Sequence, residues 1–136
     1  MKIIIAGSRD ASWEQTRKAI TRSPFVSKIT VIVSGHHHSG ADFWGEQYAD
    51  IMGIPVILFP ADWYNLIVQN CTVKKDKNGK LYNALAGFNR NQLMAEYADG
   101  LIAVRINKSK GTTDMIERAV KSGLYVFNWD IIYDES

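Results

Sequence analysis

The sequence predicts an α/β fold: a three-layer, Rossmann-like, mostly parallel five-stranded sheet with helices on both faces and a basic hairpin or flap insertion. Three observations predict it. Five short apolar runs rich in β-branched residues lack the alternation of half-exposed strands, as expected where both strand faces are buried. Helical apolar periodicity fills most of the intervals between them. Glycine stands just after a helical segment and before the next strand at Gly53, Gly100 and Gly123, the position where a helix stops. Strands alternating with helices in this way imply right-handed βαβ crossovers.

The first strand is Ile3 to Ala6, and it ends in Gly7-Ser8-Arg9-Asp10. Ser12 with Gln15 forms a capping box, and Trp13, Thr16, Ala19 and Ile20 make the stripe of a helix that Ser23-Pro24 breaks. Ile29 to Val33 is the second strand and ends in Ser34-Gly35. The loop His36 to Ser39 leads through Gly40-Ala41-Asp42 into a helix with Trp44, Tyr48, Ile51 and Met52 on one face. Gly53 stops that helix, and Ile54 to Phe59 is the third strand.

Residues 69–86 break the alternation, with Lys74, Lys75, Lys77 and Lys80 around Asn78-Gly79, a strong hairpin-turn signal. A helix from Asn91 to Ala98 follows, bearing Leu93, Met94 and Tyr97, and then the strand Leu101 to Val104. The helix Thr112 to Ser122 and the strand Leu124 to Phe127 complete the sheet, and the acidic end Asp130 to Ser136 reads as a terminal extension.

The 136 residues suit one domain, 1–136, large enough to bury a core without disulfides or structural metal. With 46% hydrophobic and 22% charged residues the composition excludes disordered, collagen-like and coiled-coil architectures. A formal charge of +2 does not demand nucleic acid as a partner. Cys71, the sole cysteine, removes internal disulfides and cysteine-based zinc motifs and suits a reducing, cytoplasmic setting. The apolar start is too short for a signal peptide or membrane span, so no membrane partner is expected.

Ligands of open parallel sheets sit beyond the carboxyl ends of the strands, so those ends carry the candidate residues. Gly7, Ser8 and Arg9 combine a close-approach glycine, a hydroxyl and a guanidinium suited to phosphate or carboxylate. Ser34, Gly35 and Gly40 form a second turn into a helix start. Lys108 to Asp114 is a third, where Gly111, Thr112 and Thr113 meet unpartnered helical N–H groups. Asp62 and Trp63 offer a base or ribose contact, with the aromatic ring as a stacking wall. Arg90 and Asn91 are expected to open a helix, and a cation there asks for an anionic partner. Asp42 and Glu46, one turn apart, are candidate general bases or ribose acceptors. Met94 and Met115 read as core. A divalent metal at His36 to His38 is compatible with three adjacent imidazoles, but no closed-site spacing is present, so a solvated loop with one imidazole near the ligand is preferred and no cofactor is assigned.

With these residues in view, the chain resembles the SLOG superfamily, in its YspA-like branch of stand-alone bacterial and phage proteins. The resemblance runs through Ile-Ile-Ala-Gly-Ser-Arg-Asp at 4–10, Ser-Gly and Gly-Ala-Asp within 34–42, Gly-Ile-Pro-Val at 53–56 and Phe-Pro-Ala-Asp-Trp at 59–63. It continues through Ala-Gly-Phe-Asn-Arg-Asn-Gln-Leu-Met at 86–94, Ala-Asp-Gly-Leu-Ile-Ala at 98–103 and Gly-Thr-Thr-Asp-Met-Ile at 111–116. It implies a Rossmann-like domain binding a nucleotide or nucleotide-derived ligand, as sensor or enzyme. Related lysine-decarboxylase-like phosphoribohydrolases cleave nucleoside monophosphates with an Arg-Lys-x-x-Met helix and a Gly-Thr-x-x-Glu helix, and the DNA-processing protein DprA is a further relative. Arg90 and Met94 match the first motif, whereas Met115 stands where the second has its glutamate.

The expected function is therefore nucleotide-ligand binding. The alternative is an N-glycosidase or nucleotide hydrolase using Arg90 with Asp42, Glu46 or Asp114 as acid–base group. A weaker alternative is single-stranded nucleic-acid binding by the lysine flap and aromatics. Homo-oligomerisation is compatible with the sequence and not specified by it.

Overall fold

The computed structural model describes residues 1–133. Its main sheet has five parallel strands: β1 (Lys2–Gly7), β2 (Val31–Ser34), β3 (Val56–Leu58), β6 (Gly100–Ile106) and β7 (Tyr125–Ile131). They lie in the order β3-β2-β1-β6-β7. Helices α1 (Trp13–Arg22), α2 (Gly40–Met52), α3 (Ala86–Tyr97) and α4 (Lys110–Lys121) connect them, and β4 (Val73–Lys75) with β5 (Leu81–Asn83) forms a separate antiparallel hairpin. The three-layer α/β expectation holds. Among the described residues no helix is long and apolar enough to cross a membrane.

Successive residues of a strand face opposite ways, and β1 uses both directions. Ile3 and Ile5 pack with Ala19, Ile20, Ala41 and Ala49 of α1 and α2, while Ile4 and Ala6 pack with Met94, Ala95, Met115 and Ala119 of α3 and α4. This is why the apolar runs are unbroken. The α2 helix comes close to β1 because it presents Ala41 and Gly45; a Cβ on Gly45 would lie 2.7 Å from a methyl of Ile5.

The order in which strands are added reverses between β1 and β6, since β1, β2 and β3 progress one way across the sheet and β6 and β7 lie on the other side. That is the topological switch point, where a crevice opens beyond the carboxyl ends. Two local devices shape it. Ser12 and Gln15 close the start of α1 with both halves of a capping box, as the sequence predicts. The carbonyl of Ser8 accepts from the N–H groups of Ala11 and Ala41, tying the β1 turn to α2.

Several boundaries differ from expectation. The helix carrying Arg90 begins at Ala86, so Arg90 sits in its second turn rather than at its start, and the dipole argument for an anionic partner does not apply. Asp130 is not part of a loose acidic end: it lies in β7 and takes a bidentate pair from Arg105 at 2.7 and 2.8 Å. The last three residues of that acidic end lie outside the described residues. The outer strands β3 and β7 are edges, so Ile57, Leu58 and Tyr125 are exposed. Ile51 and Met52 are exposed too, because α2 turns only Tyr48, Ala49 and its smaller residues inward.

Candidate functional site

A cleft of about 820 Å³ opens at the switch point. The loops after β1, β2, β3 and β6 and the first half of α3 all contribute to it. Gly7, Ser8, Arg9, Gly35, Asp42, Trp63, Arg90, Asn91, Gly111 and Thr112 line it, so most of the residues singled out from the sequence are brought together. Others stand outside the lining. Ser34 turns its hydroxyl to Glu46 at 2.7 Å, and Gly40 packs on the Ser8 carbonyl and Arg9. Asp62 is exposed beside Trp63. Thr113 bonds to the Ser109 carbonyl at 2.8 Å and receives Arg105 at 3.2 Å. Asp114 is held by Asn91 at 3.0 Å and Arg118 at 2.9 Å, and it faces a second, smaller hollow with Lys108, Glu117 and Thr113.

Three helix starts open onto the cleft. The first residues of α2, α3 and α4 have no side-chain cap, in contrast to α1 with its capping box. The free N–H groups at such ends carry partial positive charge. First-turn residues of all three helices line the cleft: Asp42 of α2, Gly87 and Phe88 of α3, and Lys110, Gly111 and Thr112 of α4. Gly111 is not needed for packing, because a Cβ there would meet nothing within 4 Å. Ser8 anchors the α4 start. Its Oγ accepts the Ile106 N–H at 2.9 Å and lies 2.7 Å from Ser109 Oγ, which donates to Thr112 Oγ1 at 2.9 Å.

The middle of the cleft holds a buried charge pair at longer range. Asp42 is only 7% exposed, accepts the His37 N–H at 3.1 Å, and is pushed up to about 6 by burial, against the pull of that hydrogen bond and of the Arg90 charge. Arg90 donates Nη1 to the Gly35 carbonyl at 2.6 Å and Nε to Asn91 at 3.0 Å, and burial lowers its pKa from the ordinary value. Any side chain at Gly35 would displace the Arg90 guanidinium or the Asp42 carboxyl. A Cβ on it would lie 2.4 Å from Arg90 Nη1 and 2.9 Å from Asp42 Oδ2. His37 stacks on His38 at 4.4 Å, and burial lowers the His37 pKa.

One wall is apolar and aromatic. Trp63, Phe88, Pro60, Ala61 and Ala84 line it. The hairpin fixes Trp63: its carbonyl accepts the Asn83 N–H at 2.6 Å, and the buried Asn83 Oδ1 takes the N–H groups of Thr72 and Leu85. Thus the lysine hairpin braces the cleft wall, while Lys74, Lys75, Lys77 and Lys80 stay exposed. Phe88 and Gly87 were not among the residues chosen from the sequence. The Ala-Gly-Phe run before Arg90 carried the signal, but the helix start placed beyond it hid the turn.

Among the described residues no three His, Cys, Asp or Glu side chains gather as a metal-ligand set. His36 instead faces Glu46, with Nδ1 3.1 Å from both carboxylate oxygens. Compared with known proteins, residues 1–65 match the family described as the YspA, cpYpsA-related SLOG family. That segment runs from β1 past Trp63 and supplies the β1, β2 and β3 loops of the cleft. No curated protein and no solved structure matches the chain.

Proposed function

From a first half that matches the SLOG family, we propose that the chain binds a nucleotide or nucleotide-derived ligand lengthwise across the carboxyl ends of its parallel strands. One observation carries the reading: three helix starts without side-chain caps open onto a single cleft that also carries an aromatic wall, with the α3 start beside Trp63. Anionic oxygens are stabilised at helix starts by free N–H groups, and Arg9, Arg90 and Lys110 add full charges. A flat base suits the wall made by Trp63 and Phe88.

Thermal shift with AMP, ADP-ribose and NAD tests it. At a hundredfold excess over Kd the stabilisation should reach about 2.7 kcal/mol, and absence of any shift across these ligands would overturn the reading. Arg90→Gln should weaken binding about 10- to 100-fold, the value of a charge-assisted hydrogen bond, as measured by calorimetry.

A second reading, hydrolysis of the bound nucleotide, is favoured by Asp42. A carboxyl pushed up to about 6 inside the cleft is suited to proton transfer near neutrality. The reading predicts slow release of free base from a stabilising nucleotide.

A further inference from the structure

The hairpin carries more than its brace on Trp63 requires. Its strands pair Val73 with Asn83, Lys74 with Tyr82 and Lys75 with Leu81, so Val73, Lys75 and Leu81 share one face and Lys74 and Tyr82 the other. Tyr82, 6.5 Å from Trp63 between ring centres, and the buried Asn83 account for the brace. The lysines do not. Lys74, Lys75, Lys77 and Lys80 are exposed, and among the described residues none of them forms an ion pair. Asp76, the acidic residue of the turn, is occupied by backbone, its Oδ1 accepting the N–H groups of Asn78 at 2.8 Å and Lys80 at 2.9 Å.

The same segment exposes aliphatic surface. Ile67 is 95% exposed, and Val68, Val73 and Leu81 are exposed as well. A single exposed aliphatic residue needs no explanation, but a group of them interleaved with unpaired lysines does. Lys80 Nζ lies over the Tyr64 ring, 3.7 Å from its centre, and Ile67 N–H turns back to Asn65 Oδ1. These contacts draw the hairpin turn against the segment that carries Ile67, so cations and aliphatic groups belong to one surface.

The chemistry of that surface selects among anionic partners. A single-stranded nucleic acid needs open aromatic faces on which its bases stack. Here Lys80 covers a face of Tyr64, Tyr82 meets Trp63, and Trp63 lines the cleft. Aliphatic groups beside lysines suit an anionic bilayer instead: the ammonium heads stay at the level of the phosphates while the apolar groups enter the acyl boundary. Such docking lies on the membrane and needs no spanning helix.

We propose that residues 64–81 form a docking arm for an anionic lipid bilayer, with Ile67 and Val68 entering the interface and Lys74, Lys75, Lys77 and Lys80 on the headgroups. The contact is independent of what the cleft binds. It is reversible, since stable anchoring takes a second signal. Because the Asn83 N–H binds the Trp63 carbonyl, docking would hold the aromatic wall of the cleft close to the lipid surface.

The test sediments the full chain with vesicles of phosphatidylcholine alone or of an equal mixture with phosphatidylglycerol. Wild type should pellet with the mixed vesicles, leave them as salt rises, and stay in solution with the neutral ones. A lysine near such a surface is worth about fivefold, so Lys74→Gln with Lys75→Gln should lower binding about 25-fold. Lys28→Gln with Lys121→Gln removes the same charge after α1 and at the end of α4, and should leave binding unchanged. Ile67→Ser should lower it about tenfold at constant charge. All five positions are exposed, so the variants keep the fold. No binding to the mixed vesicles overturns the proposal, as does an equal loss in the two lysine pairs. Undiminished binding by Ile67→Ser overturns the insertion of the aliphatic groups. Capture of a single-stranded oligonucleotide in preference to vesicles, lost with Lys74→Gln and Lys75→Gln, overturns lipid as the partner.

Discussion

Gly40→Ala is expected to cost about 3 kcal/mol or more, lowering Tm by roughly 10 °C, because overpacking and backbone strain add at one position. The new Cβ would stand 2.2 Å from the Ser8 carbonyl oxygen and 2.6 Å from Arg9 Cα, both backbone atoms, and φ is +71°. Neither neighbour can rotate away. Ser8 is itself fixed by its N–H on the Val104 carbonyl at 2.9 Å and by its Oγ on Ile106, so relief would have to part β1 from β6 or lift α2. Gly111→Ala is the matched control. Its Cβ points into open space, so stability should stay within about 0.5 kcal/mol of wild type or rise slightly. Denaturant melts of the two variants decide it. Equal losses would show that the α2 start is not wedged against the β1 turn.

Asp42→Asn should do the opposite and stabilise the chain at pH 7, by an amount bounded at about 3 kcal/mol. The bound follows from the rise of the Asp42 pKa from an ordinary 3.8 to about 6, caused first by burial. Between those values the folded chain holds a proton that the unfolded chain has released, so stability falls as pH rises through the window and remains lower above it. Below about pH 4 both states are protonated, and the variant should match wild type. An asparagine oxygen can still accept the His37 N–H, which keeps the loop in place. Melts at pH 4, 5, 6 and 7 should show the gap opening with pH. A variant less stable than wild type at pH 7 would mean that the carboxylate is favoured by its surroundings. A charge retained at such a cost in stability is characteristic of a site under selection for function.

The inner strands and their helices were legible because burial on both faces leaves an unmistakable apolar run, as at Ile3 to Ala6 and Leu101 to Val104. Gly53 and the Ser12-Gln15 box were legible because each is a local solution to an open helix end. The start of α3 was not. Leu85 stands at the cap position and Gly87 reads as a breaker, so nothing marks Ala86 as a first turn. The absence of a capping side chain that hides this start is also what leaves its N–H groups free at the cleft. The lining was largely legible through the strand-end rule, with Gly7 to Arg9, Gly35 and Thr112 in place. Pairings were not. That Glu46 meets His36 rather than the cleft depends on a left-handed residue, and that Asn91 of α3 reaches Asp114 of α4 depends on how the two helices pack; periodicity specifies neither.

The three hydroxyls beside α4 can be followed proton by proton. Ser8 Oγ accepts the Ile106 N–H, so its own hydrogen is available to Ser109. Ser109 spends its single hydrogen on Thr112 Oγ1, which obliges Ser8 to be the donor in the bond between them. The chain of hydroxyls therefore runs in one direction, and the hydrogen left over at its end belongs to Thr112, on the cleft wall. A polarity set deep in the sheet, at the β6 backbone, thus surfaces as a donor, which makes that wall a better host for a lone pair than for a cation.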